Sequence, residues 1–330
     1  MPKVSVIVPI YNAGSHLNIC LDSLVRQTLQ DIEIILISDC PTDGSEKIAA
    51  SYAIRYPNIK LIQNPANQHI GLSRNTGLEI ATGEYIGFSD HDDFCLPGMF
   101  EELYREAKNK QADVILSKIK SLRTVPNPDI ADLANREETN SYALSARQCF
   151  LELISGSQKI ATGLVYTHLY RKQFLEDHKI RFADTRYHSS EDQLFNIEVY
   201  NCLIEHQGTV IYQPKIYYYH LLHQSNTGST IAYRELKKNI AFLDKIHSVI
   251  LSSTSIPQTQ LSQQFALRIV KNLYTSWRYE MRYKGLKAFR NLNLINPPLR
   301  AILRQHYKIY NSQLSVCKNC FALLLKLFYT

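Results

Sequence analysis

Short apolar runs alternate with helical patterns through the first 120 residues, and this alternation constrains the fold more than any other feature. Apolar runs suited to buried strands occur at residues 4–8, 32–37, 59–63, 84–89 and 113–117. Helical patterns separate them at about residues 17–25, 43–56, 71–81 and 97–110. Strands and helices of these lengths form β-α-β units, so the sequence predicts an α/β domain with a mainly parallel sheet.

Polar residues stand where three of these strands are predicted to end. Tyr11 and Asn12 follow the first strand, Asp39 follows the second, and the acidic segment 90–93 follows the fourth. Parallel sheets bind ligands outside the carboxyl ends of their strands, so a nucleotide or phosphate site is expected there. The chain has no G-x-G-x-x-G after its first strand and no Walker A lysine motif, which argues against dehydrogenase and P-loop functions.

Composition limits the class of protein further. The chain has 330 residues and 45% of them are apolar, which is enough for a packed core and excludes wholesale disorder. No run of about 18 uncharged apolar residues occurs, and the N-terminus lacks a signal-peptide pattern, so a cytoplasmic location is expected. The seven cysteines are expected to be reduced thiols, and Cys317 and Cys320, which have no second pair nearby, are expected to be buried small residues and not metal ligands.

Positive charge is concentrated at the C-terminus. Residues 268–330 contain twelve Lys or Arg and one acid, Glu280, giving +11, whereas the whole chain carries +7. Four of these cations, Arg268, Lys271, Arg278 and Arg282, are spaced along one helical face opposite an apolar stripe. This pattern favours peripheral contact with an anionic membrane over nucleic-acid binding. A solvated face of a helical bundle is the alternative.

Four motifs in order resemble those of family 2 glycosyltransferases, which have the GT-A fold. They are the first strand through Asn12; Gly71 to Gly77 around Arg74 and Asn75; the acidic segment 88–93 with Pro97; and residues 169–171, 180–182 and 191–195. The resemblance implies a Rossmann-like GT-A domain over residues 1–230, with a nucleotide-sugar half (1–120) and an acceptor half (121–230). Residues 231–330 would be a basic, mainly helical extension.

The resemblance also implies an activity. We expect inverting transfer of one sugar, a hexose or an N-acetylhexosamine, from a UDP-sugar to a growing surface glycan. The acceptor is expected to be lipid-linked, of the bacterial surface-polysaccharide type, and the enzyme to work at the inner face of the membrane. The Gln-x-x-Arg-Trp motif of processive synthases is missing from this sequence, so the transfer is expected to be non-processive.

The residues that match the family motifs are the candidate donor site. They are Pro9, Tyr11, Asn12, Asp39, Arg74, Asp90, Asp92, His220 and His223. Asp39 is expected to accept hydrogen bonds from the uracil base. Asp92 and Asp93 are the candidate ligands of a Mn²⁺ or Mg²⁺ ion, because crowded carboxylates repel one another and a cation relieves that repulsion. His91 lies within the acidic segment but is expected to point away from it.

Asp192 is the candidate general base of the reaction that the resemblance implies. Inverting transfer needs a carboxylate that takes the proton of the acceptor hydroxyl as the new bond forms. Asp192 is predicted to lie in the first turn of a helix that begins at Glu191, where the helix dipole favours an ionised carboxylate.

Two departures from the family pattern keep alternatives open. Ser38-Asp39-Cys40-Pro41 stands where relatives usually have Asp-Asp-Gly-Ser, and Tyr166-Thr167-His168 stands where many have Trp-Asn-Lys. A non-catalytic member that binds a nucleotide-sugar or serves as a scaffold is therefore the main alternative. A nucleotidyltransferase shares the α/β plan, but the segment 12–15 is too poor in glycine and basic residues for its phosphate loop.

Overall fold

A computed structural model of the chain describes residues 1–124, 140–157, 160, 163–223, 236–284 and 295–306, with side chains omitted at 236 and 277–284. The described strands are β1 (Val4–Ile10), β2 (Ile32–Ser38), β3 (Ile59–Gln63), β4 (Tyr85–Phe88), β5 (Phe94–Cys95), β6 (Val114–Leu122), β7 (Tyr142–Leu144), β8 (His168–Arg171) and β9 (Val210–Leu221). The described helices are α1 (His16–Val25), α2 (Ser45–Arg55), α3 (His69–Ile80), α4 (Met99–Asn109), α5 (Ala146–Ser155), α6 (Lys172–Asp177), α7 (Glu191–Glu205), α8 (Leu236–Ser252), α9 (Gln258–Lys284) and α10 (Pro297–Gln305).

One sheet contains all nine of these strands and confirms the α/β class. The strand order is β3-β2-β1-β4-β8-β6-β9-β5, with β7 paired to β9. The neighbours β3, β2, β1 and β4 are parallel, as predicted, whereas β8 runs antiparallel to both β4 and β6. The sheet is therefore mixed beyond β4. The order reverses beside β1, because β2 and β3 lie on one side of it and β4 lies on the other, and α/β sheets bind ligands at such a reversal.

Buried apolar strands explain why this half of the sheet forms. Every residue of β1 and β2 is buried, which is the pattern of strands covered on both faces. Helix α3 packs closely on the sheet, since a Cβ atom at Gly77 would lie only 2.4 Å from Cγ2 of Ile7. A side chain at Gly77 would therefore push α3 away from β1.

Strand β9 is longer than expected. The sequence predicts two strands, at residues 209–212 and 216–219, but the structure has one strand from Val210 to Leu221. The pairing of β9 with β6 shifts register at Ser117 and Lys118. A bulge bends a strand without ending its pairing, so residues 213–215 interrupt the apolar pattern but not the strand.

The described residues divide into two compact units that are not consecutive in sequence. The first unit is 1–146, 164–185 and 206–224, and it contains the sheet. The second is 147–163, 186–205 and 225–330, and its described residues are mainly helical. The second unit thus takes in two segments from the middle of the chain, and the boundary at residue 230 stays a prediction.

Helix α9 only partly has the solvent-facing basic side that the sequence predicts. Its apolar stripe is buried, including Ile269 and Leu273, as the spacing predicts. Arg268, however, is only 5% exposed and does not lie on a solvent face. Lys271 is half-buried, and its ammonium donates to the carbonyl oxygen of Ser155 at 3.4 Å. The side chains of Arg278 and Arg282, and the pair Cys317 and Cys320, lie outside the described residues.

Within the parts of the chain that the structure describes, no helix combines the length and the apolar character that crossing a membrane requires. The apolar C-terminal segment 320–329 is not among those parts.

Glu33 joins the strands at the end of the sheet where β1, β2 and β4 begin. Its carboxylate accepts hydrogen bonds from Lys60 Nζ at 2.7 Å, from the Thr82 backbone N–H at 2.6 Å, and from the Ser5 hydroxyl. Burial by itself would raise the pKa of Glu33, but the hydrogen bonds from Lys60, Ser5 and Thr82 outweigh it and lower the pKa to about 2. The ionised carboxylate is therefore the form that the fold stabilises.

We expect Glu33→Gln to lower the free energy of unfolding at pH 7 by about 2–3 kcal/mol. Because the folded-state pKa is depressed, this contribution is complete above about pH 4.5 and is lost as the pH falls towards 2. Urea unfolding at pH 7, 5 and 4 measures the difference between variant and wild type. Asp31→Asn is the matched control, because its ion pair with Lys3 is exposed and contributes little. A Glu33→Gln variant as stable as Asp31→Asn at pH 7 would contradict the expectation.

Candidate functional site

The loops that follow β1 and β2 hold each other in place. Asn12, with φ at 49°, accepts a hydrogen bond from the Thr42 backbone N–H through Oδ1 at 2.7 Å. Asp43 Oδ2 accepts from the Gly14 N–H at 2.7 Å, and Asp43 Oδ1 accepts from the Ser45 N–H at 3.1 Å. Gly44 occupies the N-cap position of α2, at φ 90°. The carboxylate of Asp43 ties the first loop to the start of α2.

Asp39 lies at the end of β2 and is 3% exposed. Its Oδ1 atom accepts hydrogen bonds from Asn64 Nδ2 at 2.7 Å and from the Gln68 backbone N–H at 2.8 Å. Its Oδ2 atom accepts none from the described residues and is not a fully buried atom. One oxygen is thus held by the protein, and the other can accept a hydrogen bond from a ligand.

Cys40 occupies the position where relatives usually have glycine, and the structure shows why glycine suits it. Its φ is 56°, in the left-handed region that favours glycine. The Cys40 thiol donates to the Asn64 carbonyl oxygen at 3.4 Å. The turn after β2 therefore keeps the backbone conformation of a glycine turn although the residue has changed.

Arg74 is 2% exposed and donates from Nη2 to Asp90 Oδ1 at 2.9 Å. Its guanidinium carbon lies 5.2 Å from the centre of the Phe182 ring. The neighbouring Asn75 binds the same residue, because its Nδ2 donates to Phe182 O at 3.0 Å and its Oδ1 accepts from Phe182 N at 2.8 Å. The motif around Arg74 thus fixes both Asp90 and the segment around Phe182.

Asp93 is fully buried and is bound by the end of β9. Its Oδ1 accepts from the Leu221 backbone N–H at 2.8 Å and lies 3.0 Å from His220 Nδ1. Burial, together with the charges of Asp90 and Asp92, raises the pKa of Asp93 to about 6. The hydrogen bond to Asp93 raises the pKa of His220 above its usual value. Asp93 and His220 form a tight pair that joins the acidic segment to the sheet.

Asp92 is partly exposed and binds His223, the second residue after β9. Asp92 Oδ2 lies 2.9 Å from His223 Nε2, and the side chains are 16% and 19% exposed. The ring of His16, at the start of α1, stacks on His223 with 4.4 Å between the ring centres. His91, in contrast, turns away from the segment and bonds the carbonyl oxygen of Pro9 at 3.0 Å. Asp90, whose side chain is 23% exposed, and Asp92 are thus the carboxylates of this segment that are open to solvent, whereas Asp93 is not.

Asp90 and Asp92 offer carboxylate oxygens, which are the type of ligand that a hard divalent cation prefers. In the residues whose side chains are described, no three His, Cys, Asp or Glu groups form a ready cluster of metal ligands. Asp90 and Asp92 supply carboxylate oxygens, and the buried Asp93 is already bonded to Leu221 and His220. Such a set fits Mn²⁺ or Mg²⁺, which take their remaining ligands from a diphosphate and water. Asp92 is the more exposed of the two predicted ligands, and metal binding by Asp92 and by Asp93 stays a prediction.

Asp192 lies in the second unit, in the first turn of α7, where the helical pattern predicts it. Its Oδ1 accepts a hydrogen bond from the backbone N–H of Gln193 at 2.8 Å.

His168 belongs to the tripeptide 166–168, which departs from the family pattern. It is fully buried in β8, and that burial lowers its pKa to about 3. His168 is therefore a neutral histidine in the core of the sheet.

The structure thus brings most of the candidate donor residues into three bonded groups within the first unit. They are Arg74 with Asp90, His223 with Asp92, and His220 with Asp93. Tyr11 lies at the end of β1 and is 47% exposed. Sequence reasoning missed Asn64, which follows β3 and could have been found by the same rule of polar residues at strand ends. It also missed His16, which no pattern in the sequence indicates.

Comparison with known sequences identifies the family. The model described as "Glycosyl transferase family 2" matches residues 5–178. The uncharacterised glycosyltransferase EpsJ of Bacillus subtilis is 36% identical over 210 residues, which is 61% of this chain and 56% of EpsJ. A poly(ribitol-phosphate) beta-glucosyltransferase of Bacillus spizizenii is 30% identical over 256 residues, 76% of this chain and 37% of that enzyme. The chain therefore spans only about a third to a half of the length of these relatives.

Two solved structures show the fold. S. aureus TarS residues 1–349, in complex with UDP-GlcNAc, superposes with a TM-score of 0.65 at 21% identity, over 97% of this chain and 89% of that one. The mannosyltransferase PcManGT of Pyrobaculum calidifontis, in complex with GDP-Man and Mn²⁺, gives a TM-score of 0.56 at 14% identity, over 99% and 87%. The sheet is therefore a GT-A sheet, and because the family model covers more than half of the sequence, this chain belongs to glycosyltransferase family 2.

Proposed function

We propose that the chain is an inverting, non-processive glycosyltransferase that moves one sugar from a UDP-sugar to a growing surface glycan. The observation that carries the proposal is the group of polar residues at the carboxyl ends of β1, β2 and β4. There Asp39 has one oxygen available to a ligand, and Asp90 and Asp92 are partly exposed. A nucleotide-sugar requires a carboxylate that binds its base and acidic residues close to its diphosphate, both at the same edge of the sheet.

The first unit would hold the donor. Asp39 Oδ2 would accept a hydrogen bond from a base N–H, while Asn64 and Gln68 keep the carboxylate in place. The exposed ring of Tyr11 is suited to stack on the base. The complex of TarS with UDP-GlcNAc supports a UDP-sugar as the donor.

The acidic segment would face the diphosphate. Asp92 is the proposed ligand of a divalent cation, and His223, steadied by the ring of His16, orients its carboxylate. Arg74 does the same for Asp90. When bound, Mn²⁺ or Mg²⁺ supplies positive charge that offsets the charge gained by the leaving diphosphate. The PcManGT complex with Mn²⁺ supports this choice of metal.

Asp192 is the proposed general base. Its carboxylate would take the proton from the acceptor hydroxyl while that oxygen attacks the anomeric carbon and the C–O bond to the diphosphate breaks. The acceptor is proposed to be a glycan carried on a lipid or a polymer, and the poly(ribitol-phosphate) named for one relative supports a polymer.

A donor and acceptor panel tests the proposal. UDP-glucose, UDP-galactose, UDP-GlcNAc and GDP-mannose are each incubated with the full chain, Mn²⁺ and octyl glycosides or poly(ribitol phosphate). Formation of a lengthened acceptor with inverted anomeric configuration, detected by mass spectrometry and NMR, is the expected result. UDP-sugar binding without transfer to any acceptor would favour the non-catalytic, scaffold function.

Peripheral membrane contact by the basic segment 268–330 is a separate expectation. Residues 268–330 carry a formal charge of +11, and three of their cations, Arg268, Lys271 and Arg300, make hydrogen bonds within the protein. Each Lys or Arg near an anionic surface contributes about 1 kcal/mol. We expect the full chain to sediment with vesicles containing phosphatidylglycerol at low salt and to be released as salt rises. Equal sedimentation with neutral phosphatidylcholine vesicles would contradict it.

A further inference from the structure

Arg268 is a buried cation in the second unit, and its hydrogen bonds connect several helices there. It lies on α9, is 5% exposed, and places its guanidinium carbon 5.0 Å from the centre of the Phe242 ring on α8. Nη1 donates to the carbonyl oxygen of Leu153 on α5 at 2.7 Å, and Nη2 donates to Oε1 of Gln193 on α7. Burying a guanidinium is costly unless its donors are satisfied, so these bonds constrain the groups that accept them.

Two glycines make room for this arrangement. Gly156 follows α5 with φ at 67°, and a Cβ atom there would lie 2.9 Å from Cδ of Arg268. A Cβ atom at Gly163 would lie 2.3 Å from Cγ of Gln193. The side chains of Arg268 and Gln193 are therefore packed against backbone that leaves them little freedom to move.

Gln193 is the residue that links this cluster to Asp192. Its side chain is bound by Arg268, and its own backbone N–H donates to Asp192 Oδ1 at 2.8 Å. Gln193 lies in the first turn of α7, whose backbone N–H groups lack partners within the helix, so the bond to Arg268 anchors this turn and with it the N–H that Asp192 Oδ1 accepts. The path from Arg268 to Asp192 therefore has two hydrogen bonds and one residue between them.

We propose that Arg268, acting through Gln193, is a positioning residue for Asp192. This inference rests on the proposed function, in which Asp192 is the general base. Catalytic groups displaced by about 1 Å lose up to about a hundredfold in rate. Loosening Gln193 is expected to lower kcat while the KM for the donor, which reports on residues of the first unit, is unchanged.

Gln193→Met is the primary variant, because it removes the acceptor of the Arg268 bond at nearly constant side-chain length. We expect kcat to fall about tenfold or more, with the donor KM within twofold of wild type. Gln193→Glu restores an acceptor for Arg268 and is expected to keep kcat within threefold of wild type. Arg268→Lys is expected to match Gln193→Met, since an ammonium cannot reproduce the forked donation to Leu153 and Gln193.

Gln260→Met is the matched control. Gln260 accepts a hydrogen bond from Arg147 at 2.7 Å, so this variant removes the same kind of Arg–Gln bond between α5 and α9, away from α7. Its kcat is expected to equal that of wild type. Melting temperatures of all variants separate loss of positioning from loss of fold, and the measurements use the donor and acceptor that turn over fastest in the panel.

The Asp192 variant tests the proposed general base, and the Gln193 and Arg268 variants test the positioning role. If Asp192→Asn abolishes transfer but Gln193→Met and Arg268→Lys retain wild-type kcat, the positioning role is wrong and the proposed function stands. If Asp192→Asn transfers sugar as fast as wild type, the base assignment in the proposed function is wrong, and the positioning role falls with it. A parallel loss of kcat in Gln260→Met would show a general effect of helix packing and would also overturn the role.

Discussion

Replacing Asp192 by asparagine is expected to lower kcat by about 10²–10⁴-fold, which is the usual contribution of a general base. Asparagine keeps the size of the side chain and an oxygen that can accept the Gln193 N–H, but it cannot take a proton at neutral pH. The fold and the first turn of α7 should therefore be retained. The measurement is the rate of sugar transfer at saturating UDP-sugar, with UDP affinity determined in parallel by calorimetry.

UDP affinity should be unchanged in the Asp192→Asn variant, because the proposed nucleotide-binding residues belong to the first unit and Asp192 belongs to the second. Glu198→Gln is the matched control on the same helix, since Glu198 pairs with Lys245 at 3.2 Å two turns further along. It is expected to transfer sugar like wild type. Near-normal turnover in Asp192→Asn would move the role of base elsewhere, and Glu191, the neighbouring acid in the first turn, would be tested next.

Replacing Asp92 by asparagine is expected to abolish most of the Mn²⁺-dependent part of UDP binding. Asparagine is a neutral and weaker ligand for a hard cation, and it leaves His223 without its carboxylate partner. Calorimetric titration of UDP with and without Mn²⁺ should show a metal-dependent gain in wild type and a gain at least tenfold smaller in the variant.

Asp31→Asn is again the control for Asp92→Asn, because Asp31 precedes β2 at the opposite end of the strands and pairs with Lys3 on the surface. It should keep the full metal-dependent gain. A wild-type protein whose UDP affinity does not change with Mn²⁺ would contradict the metal site as a whole. An unchanged gain in Asp92→Asn would leave Asp90 and Asp93 as the remaining candidates.

The sequence predicted the first half of the fold closely because local pattern and tertiary role coincide there. Strands β1 and β2 are buried on both faces and appear as uninterrupted apolar runs, and helix α1 between them buries a regular apolar face that includes Leu17, Leu21 and Leu24. The positions of Tyr11, Asp39 and Asp90 followed from one physical rule, that the carboxyl ends of parallel strands meet at one edge. These inferences need only the order of the residues along the chain.

Contacts between distant segments decided the rest. Asp92 and Asp93 look alike in sequence, yet pairing with β9 buries Asp93 against Leu221 and leaves Asp92 partly exposed beside His223. Arg268 fits a basic helical face by its spacing, but α5, α7 and α8 surround it. Helical spacing shows which residues share a face of one helix. Whether that face meets solvent or another helix depends on segments far away in sequence, and only the tertiary structure brings those segments together.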